Sequence, residues 1–577
     1  MRELGFDVRS AADAAEAARL LAEVPAGRRV ALVDPRFVGH LHSLRLALTD
    51  PRFPAATVAG ALTAQPEARA ALTRALATAD SADGLPDAVA EALDAEGVSV
   101  HRPELGSLVA SVPSGAQQRH EARAAVSAVD EEAVRLRTAV KARDGFFTTY
   151  CISPYSRYIA RWCARRGFTP NQVTTASLLT ALIAAGCAAT GTRGGFIAAG
   201  LLLLFSFVLD CTDGQLARYS LQYSKMGAWL DATFDRAKEY AYYAGLALGA
   251  ARGGGTDDVW ALALGAMVLQ TVRHVVDFSF TEANHDATAN TSPTAALSDK
   301  LDSVGWTVWA RRMIVLPIGE RWALIAVLTA CTTPRIVFYV LLIGCALAGC
   351  YTTAGRVLRS LTRRARRTDR AAQALADLGD SGPLAEGFAA AFEGAARKLP
   401  GFAAPVIAAA GAAVMIATAA FAGWGSPWVC VAALVYAALS GLAVARPLKG
   451  ALDWLVPPLF RTGEYVAILV IAARSEVNGA LPAAFGLVAA VAYHHYDTVY
   501  RIRGGSGAPP RSLVRATGGH EGRALVVSVA AAALPTSGFT IALTVLAGAL
   551  ALLVLIESIR FWVSSHAPAV HDEGEPA

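Results

Sequence analysis

The 577-residue chain is 54% hydrophobic and 17% charged, with a mean hydropathy of +0.39. That balance excludes a single soluble domain, and the small net charge of +5, carried mostly by loop arginines, points to membrane orientation and away from nucleic acid. Apolar runs such as Phe196 to Leu209 and Ile541 to Ile556 predict a mainly α-helical, polytopic membrane protein.

Residues 1–120 read as a small soluble α/β domain. Helix patterns cover Ala11 to Ala22 and Glu67 to Thr78, and the clearest strand runs from Arg29 to Asp34. The segment has no GxGxxG and no GxxxxGK[ST], so no nucleotide site follows from it and a regulatory or assembly role is expected. The N-terminus lacks a signal-peptide core, which predicts a cytoplasmic domain. Eight cysteines without a CxxC pair, several of them inside apolar runs, suggest neither a disulfide framework nor a zinc site.

Residues 121–143 have the pattern of a charged helix outside the membrane. In the following stretch Arg157, Arg161, Arg165 and Arg166 alternate with Tyr158, Ile159 and Trp162, as suits a helix on an anionic bilayer face. Thr169-Pro170-Asn171 is a helix start, with Thr as N-cap and Pro in the first turn. Spans are expected near 171–190, 196–218, 229–250, 258–277, 313–332 and 335–358. Their outer loops hold Arg193, Arg252 and Arg335. The inner loops hold Lys225, Lys300, Arg311, Arg312 and a cluster from Arg356 to Arg370, which predicts both ends in the cytoplasm. Residues 361–400 read as a polar linker. A second membrane block, 401–562, has four to six spans, the last pair interrupted at Pro535 and Gly538, and 563–577 is an expected disordered tail.

The stretch LDCTDGQLARYSLQYSKMGAWLDATFD, Leu209 to Asp235, carries the chemistry. Asp210, Asp213, Gly214 and Ala217 fall at i, i+3, i+4 and i+7, one helical face. Two carboxylates, hard oxygen ligands for Mg²⁺, thus lie beside two residues with almost no side chain, leaving room for a diphosphate. Arg218 follows, suited to a bidentate phosphate contact. Gly227, Asp231 and Asp235 repeat at i, i+4 and i+8 on the next helix. Four carboxylates in a low-dielectric site require cations, and one or two divalent metals supply them. A carboxylate not committed to metal can act as general base.

Asp210-Cys-Thr-Asp213-Gly214-Gln-Leu-Ala217-Arg218, then Gly227, Asp231 and Asp235, resembles in full the signature of the CDP-alcohol phosphotransferase (CDP-alcohol phosphatidyltransferase) family, over roughly residues 140–360. The resemblance implies a six-helix membrane bundle that moves a substituted phosphate from a CDP-alcohol donor to a hydroxyl acceptor and releases CMP. It implies Asp210, Asp213 and Asp231 as ligands of Mg²⁺ or Mn²⁺, two ions being expected. Asp235 would be the base and a further ligand. Gly214, Ala217, Arg218 and Gly227 would line the CDP pocket with Asn171 and Thr174 from the first helix. It also implies a homodimer. The loop charges and the apolar spans together lead to the expectation of a multi-pass plasma-membrane protein with its site facing the cytoplasm. The alternative class, a non-catalytic scaffold or lipid-handling protein on the same fold, would be favoured by loss of an acid, and none is lost.

The segment DGF, a basic stretch and TPNQVT is similar to the linker of the bifunctional di-myo-inositol-phosphate phosphate synthases, which implies a polyol or inositol phosphate acceptor. Residues 1–120 lack the nucleotide loop of that type's cytidylyltransferase, so its activity is not carried over. Arg273, Arg311 and Arg312, with His274, are candidates for an acceptor phosphate. In the second block Arg461 and Glu464 are spaced to pair, and the run His494-His495-Tyr496-Asp497 is an interfacial, metal or substrate-path candidate.

Overall fold

The computed structural model describes every residue except 80–82, 142–143, 255–257, 286–314, 363–366 and 565–577. The cations Lys300, Arg311, Arg312, Arg363, Arg364 and Arg366 and the expected disordered tail from 565 onward lie outside the described residues.

The N-terminal domain is α/β as expected. Helix α1 (Ala14–Glu23) precedes β1 (Val30–Val33), β2 (Val38–Gly39), α2 (Leu41–Leu48), β3 (Ala55–Val58) and β4 (Ala61–Ala64). Then come α3 (Arg69–Ala77), α4 (Leu85–Ala95), β5 (Val100–His101) and β6 (Ala110–Ser111). The main sheet has the order β1-β4-β3-β5, antiparallel except for the β3–β5 pair, and β2 pairs with β6. The expected single charged helix is two, α5 (Ala116–Ser127) and α6 (Glu131–Thr138). The break falls at Asp130, whose carboxylate caps the second helix by accepting from Glu132 and Ala133 N–H groups.

The membrane part begins with α7 (Ser153–Arg165), which exposes Tyr155, Tyr158 and Trp162. Thr169 caps α8 (Pro170–Ala189) in a capping box with Gln172. Next are α9 (Arg193–Ser220), α10 (Lys225–Arg252), α11 (Asp258–Asn284), α12 (Ile318–Cys331) and α13 (Pro334–Thr362); a helix stands at each of the six expected spans, and four of them, α8, α9, α11 and α13, are long and apolar enough to cross a membrane. Both α9 and α10 pack along α8 and barely touch each other. Close approach of α10 to α8 depends on Gly245 and Gly249, where a Cβ would strike the carbonyls of Ala185 and Ala188. A cleft between α9 and α10 with α8 as its back wall is the result.

Residues 361–400 are not a simple linker. They contain α14 (Asp369–Gly379) and α15 (Pro383–Ala396), the first burying Ala371, Ala374, Leu375 and Leu378. The reason is amphipathic: in AAQALADLG the apolar residues recur at helical spacing. The second block continues with α16 (Ala403–Phe421), α17 (Trp428–Val444), α18 (Val456–Arg474), α19 (Ala480–Arg503), α20 (Arg511–Ala516), α21 (Gly519–Ala533) and α22 (Thr536–Ser564). Seven of the described helices are long and apolar enough to cross a membrane, and the chain is a multi-pass helical membrane protein. The two blocks are not separate bodies: α11 packs on α18 and α19, and α10 packs on α19.

Candidate active site

Oxygens of Asp210, Asp231 and Asp235 lie within 4.8 Å of one another, the described group of acids best placed to hold a metal ion. One comes from α9 and two from α10, so the carboxylates meet across the cleft. Asp213, one turn after Asp210, is buried and its Oδ2 has no hydrogen-bond partner. An orphaned buried carboxylate oxygen beside three clustered acids is a donor set suited to hard divalent cations.

The cluster has a built-in cation that the spacing argument missed. Lys238, fully buried, donates from Nζ to Asp210 and forms an ion pair with Asp235 Oδ1, 2.8 Å away. It also donates to Ser177 Oγ on α8 at 3.1 Å, and Ser177 in turn bonds the Ser206 carbonyl at 2.8 Å. One ammonium therefore ties α8, α9 and α10 together at the depth of the acids. The signal was in the sequence: Lys238 follows Asp235 by three residues and shares its helical face.

The residues expected to line a nucleotide pocket are placed as follows. At Gly214 an added Cβ would meet only the Arg218 guanidinium, 3.5 Å away. Arg218 spans that open face and donates from Nε to the Ala139 carbonyl at 2.6 Å. Ala217 is half-buried beside them. At Gly227 a Cβ would lie 2.9 Å from Asn171 Oδ1, so the starts of α8 and α10 meet where both carry a predicted pocket residue. Thr174 is buried and its hydroxyl donates to the Pro170 carbonyl. Of the acceptor-phosphate candidates, Arg273 donates to Gln270 Oε1 at 3.2 Å and to the Val315 carbonyl at 2.7 Å. Arg311 and Arg312 lie outside the described residues.

Behind the acids is a second buried polar group. Glu239 accepts from Arg236 at 2.9 Å, from Arg321 Nη2 at 3.2 Å and from the Tyr243 hydroxyl at 2.7 Å. Arg236 also meets His274 Nε2 at 3.2 Å. Two guanidiniums thus hold one carboxylate next in sequence to the site.

In the second block Arg461 and Glu464 pair at 3.2 Å as their spacing suggested, within a larger network. Asp380 accepts from Arg461 at 3.1 Å and from Arg523 at 2.8 Å, and His494 Nε2 lies 3.4 Å from its other oxygen. Asp497 joins Arg501, Ser558 and the Trp562 indole N–H. The histidine–aspartate run is thereby divided between two structural networks.

Residues 168–349 match the family model described as CDP-alcohol phosphatidyltransferase, and residues 369–577 match a family of unknown function (DUF5941). The chain is 33% identical over 114 residues to the bifunctional IPC transferase and DIPP synthase of Aquifex aeolicus, covering 20% of this chain and 26% of that protein. It is 32% identical over 130 residues to the phosphatidylinositol phosphate synthase of Streptomyces avermitilis, 22% and 51% of the two lengths. It is 37% identical over 91 residues to the archaetidylinositol phosphate synthase of Pyrococcus horikoshii, 16% and 47%. The chain thus spans about a quarter to a half of the length of these relatives.

Proposed function

We propose that the CDP-alcohol phosphatidyltransferase domain at residues 168–349 moves a substituted phosphate group from a CDP-alcohol to a hydroxyl acceptor and releases CMP, in phospholipid or related biosynthesis. The observation that carries this is the meeting of Asp210, Asp231 and Asp235 across the α9–α10 cleft, beside the open face at Gly214.

Asp210, Asp213, Asp231 and Asp235 would hold Mg²⁺ or Mn²⁺, two ions in this reading; bound there, the metal supplies charge neutralisation for a diphosphate. Gly214 and Ala217 leave room for the nucleotide, with Gly227, Asn171 and Thr174 bounding it. Arg218 contacts a phosphate oxygen with the guanidinium that spans Gly214. Asp235 takes the proton from the acceptor hydroxyl, which then attacks phosphorus directly in line with the CMP leaving oxygen. Lys238 holds the Asp235 carboxylate in orientation.

For the acceptor, a phosphorylated polyol of the inositol phosphate type agrees with the names of the Streptomyces and Pyrococcus relatives. Arg273, Arg311 and Arg312 would bind its phosphate. The loop-charge pattern supports a cytoplasm-facing site in the plasma membrane, and the family resemblance supports a homodimer. A screen of purified full-length protein against CDP-diacylglycerol, CDP-inositol and related donors, with free and phosphorylated polyols, tests the reading. CMP should form only with donor, acceptor and divalent metal together. No CMP from any CDP-alcohol would overturn it.

A further inference from the structure

The helix that carries Asp231 and Asp235 is gripped by the second membrane block. Trp229, two residues before Asp231, stacks on Trp562 of α22 with ring centroids 5.6 Å apart. Arg236, next after Asp235, lies 5.5 Å over the ring of Tyr496 on α19. At the start of α10, Lys225 Nζ donates to the Gly504 carbonyl at the end of α19, at 3.1 Å. Positions 225, 229 and 236 are four and eleven residues apart, so they share one face at 3.6 residues per turn, while Asp231 and Asp235 occupy another.

The gripping side chains are themselves fixed. Trp562 donates its indole N–H to Asp497 Oδ1 at 2.8 Å, and Ser558 donates to the same oxygen at 2.7 Å. Asp497 Oδ2 pairs with Arg501 at 2.8 Å, and Arg501 makes a two-pronged contact with Glu557 at 3.0 and 2.6 Å. The Tyr496 ring meets His274 edge-on at 5.6 Å and Phe278 at 6.4 Å, both on α11. Adjacent residues of α19 thus reach α10 on either side of its two acids, one directly and one through Trp562.

The physical need is plain from the packing. Where α9 and α10 barely touch, the acids of one helix face those of the other across the cleft, and the single charge of Lys238 offsets only part of their mutual repulsion. The backbone-to-backbone glycine contacts of α10 with α8 lie at its far end, at Gly245 and Gly249. Its acid-bearing half meets α8 through side chains, Lys238 on Ser177 and Asn171 at Gly227, and a different face of it packs on the second block.

We propose that the block at residues 369–564 is an in-chain clamp on α10, with Tyr496 and Trp562 as positioning residues for Asp231 and Asp235. This rests on the transferase reading above. Neither residue touches substrate; each sets where the two carboxylates stand.

The test uses full-length protein in nanodiscs. Tyr496→Ala and Trp562→Ala should each lower kcat by about tenfold or more, since small misplacements of catalytic groups are costly. They should also raise the Mg²⁺ concentration for half-maximal rate while leaving KM for the CDP-alcohol near wild type. Tyr496→Phe, which keeps the ring, should restore both values, and Ile559→Ala on the exposed face of α22 should change neither. Wild-type kcat and Mg²⁺ profiles in both alanine variants would overturn the clamp, as would an equal loss in Ile559→Ala. If the alanine variants do not fold, Tyr496→Leu and Trp562→Leu carry the same expectations. Mn²⁺ binding followed by electron paramagnetic resonance separates the two claims. Wild type that binds Mn²⁺ but turns over no CDP-alcohol sinks the transferase reading, while weakened Mn²⁺ binding in the variants still supports the clamp. Unchanged Mn²⁺ affinity overturns it.

Discussion

Lys238 Nζ stands 2.8 Å from Asp235 Oδ1 and donates to Asp210 as well, joining the acid assigned as base to an acid on the neighbouring helix. The ammonium lets two carboxylates approach in a buried place where bare charges would repel, so Lys238→Met should lower the melting temperature more in EDTA than in Mg²⁺. Removing one partner of a buried pair costs about 3–5 kcal/mol. Melting of detergent-solubilised protein in both buffers measures it, and equal losses in the two would show that the lysine does not work through the acids.

Asp235→Asn keeps the shape of the side chain and its contact with Lys238 but takes away the proton acceptor. Transfer should fall by about 10²–10⁴-fold, the usual contribution of general base catalysis, with donor binding retained. Isothermal titration with a non-reacting CDP-alcohol analogue, beside a CMP release assay, separates the two effects. Equal turnover by mutant and wild type removes Asp235 from the role of base.

Glu239→Gln should act on stability ahead of chemistry. The native carboxylate compensates Arg236 and Arg321, both buried, and the amide removes the negative charge that the two guanidiniums share. A loss of about 3–5 kcal/mol is expected, read as a large drop in melting temperature or in recovered folded protein. Glu239→Asp should recover part of it.

The soluble domain should be sensitive to acid through His42. Its imidazole is buried, neither ring nitrogen has a hydrogen-bond partner, and its pKa is pushed down to about 4 by burial, then by Arg135 and Arg45. The folded domain refuses a proton that the unfolded chain accepts below about pH 6.5. Stability is therefore whole above that pH and declines as pH falls toward 4, by about 2.5 kcal/mol at pH 4.5. Hydrogen exchange of the Leu41–Leu48 amides across that range measures the slope. His42→Leu should flatten it.

Much of the half that matches the CDP-alcohol phosphatidyltransferase model was legible because its information is local. Carboxylates at i and i+3 with glycine at i+4 imply a face, and Thr169-Pro170 with Gln172 announces a helix start, which the structure shows as a capping box. Lys238 escaped because a lysine beside a glutamate on a helix usually marks a solvated face, and only tertiary packing against Ser177 of α8, Asp210 of α9 and Trp322 of α12 buries it. The helices within residues 361–400 were obscured by the charges around them. The pairing of Asp380 with Arg461 and Arg523 depends on partners 81 and 143 residues away, a separation at which spacing carries no signal.

That last network has a consequence for how the protein is made. Gly382 and Gly519 approach so closely that a Cβ on either would meet the other's backbone, and the two glycine-bearing segments lock around Asp380 and Glu521. During insertion, Asp380 leaves the ribosome well before either of its arginines, an acid without a counter-ion at a membrane. Until α21 arrives the block cannot close, so its assembly is a late step of biogenesis. A ribosome stalled before Arg523 should leave this part of the chain open to quality-control proteases.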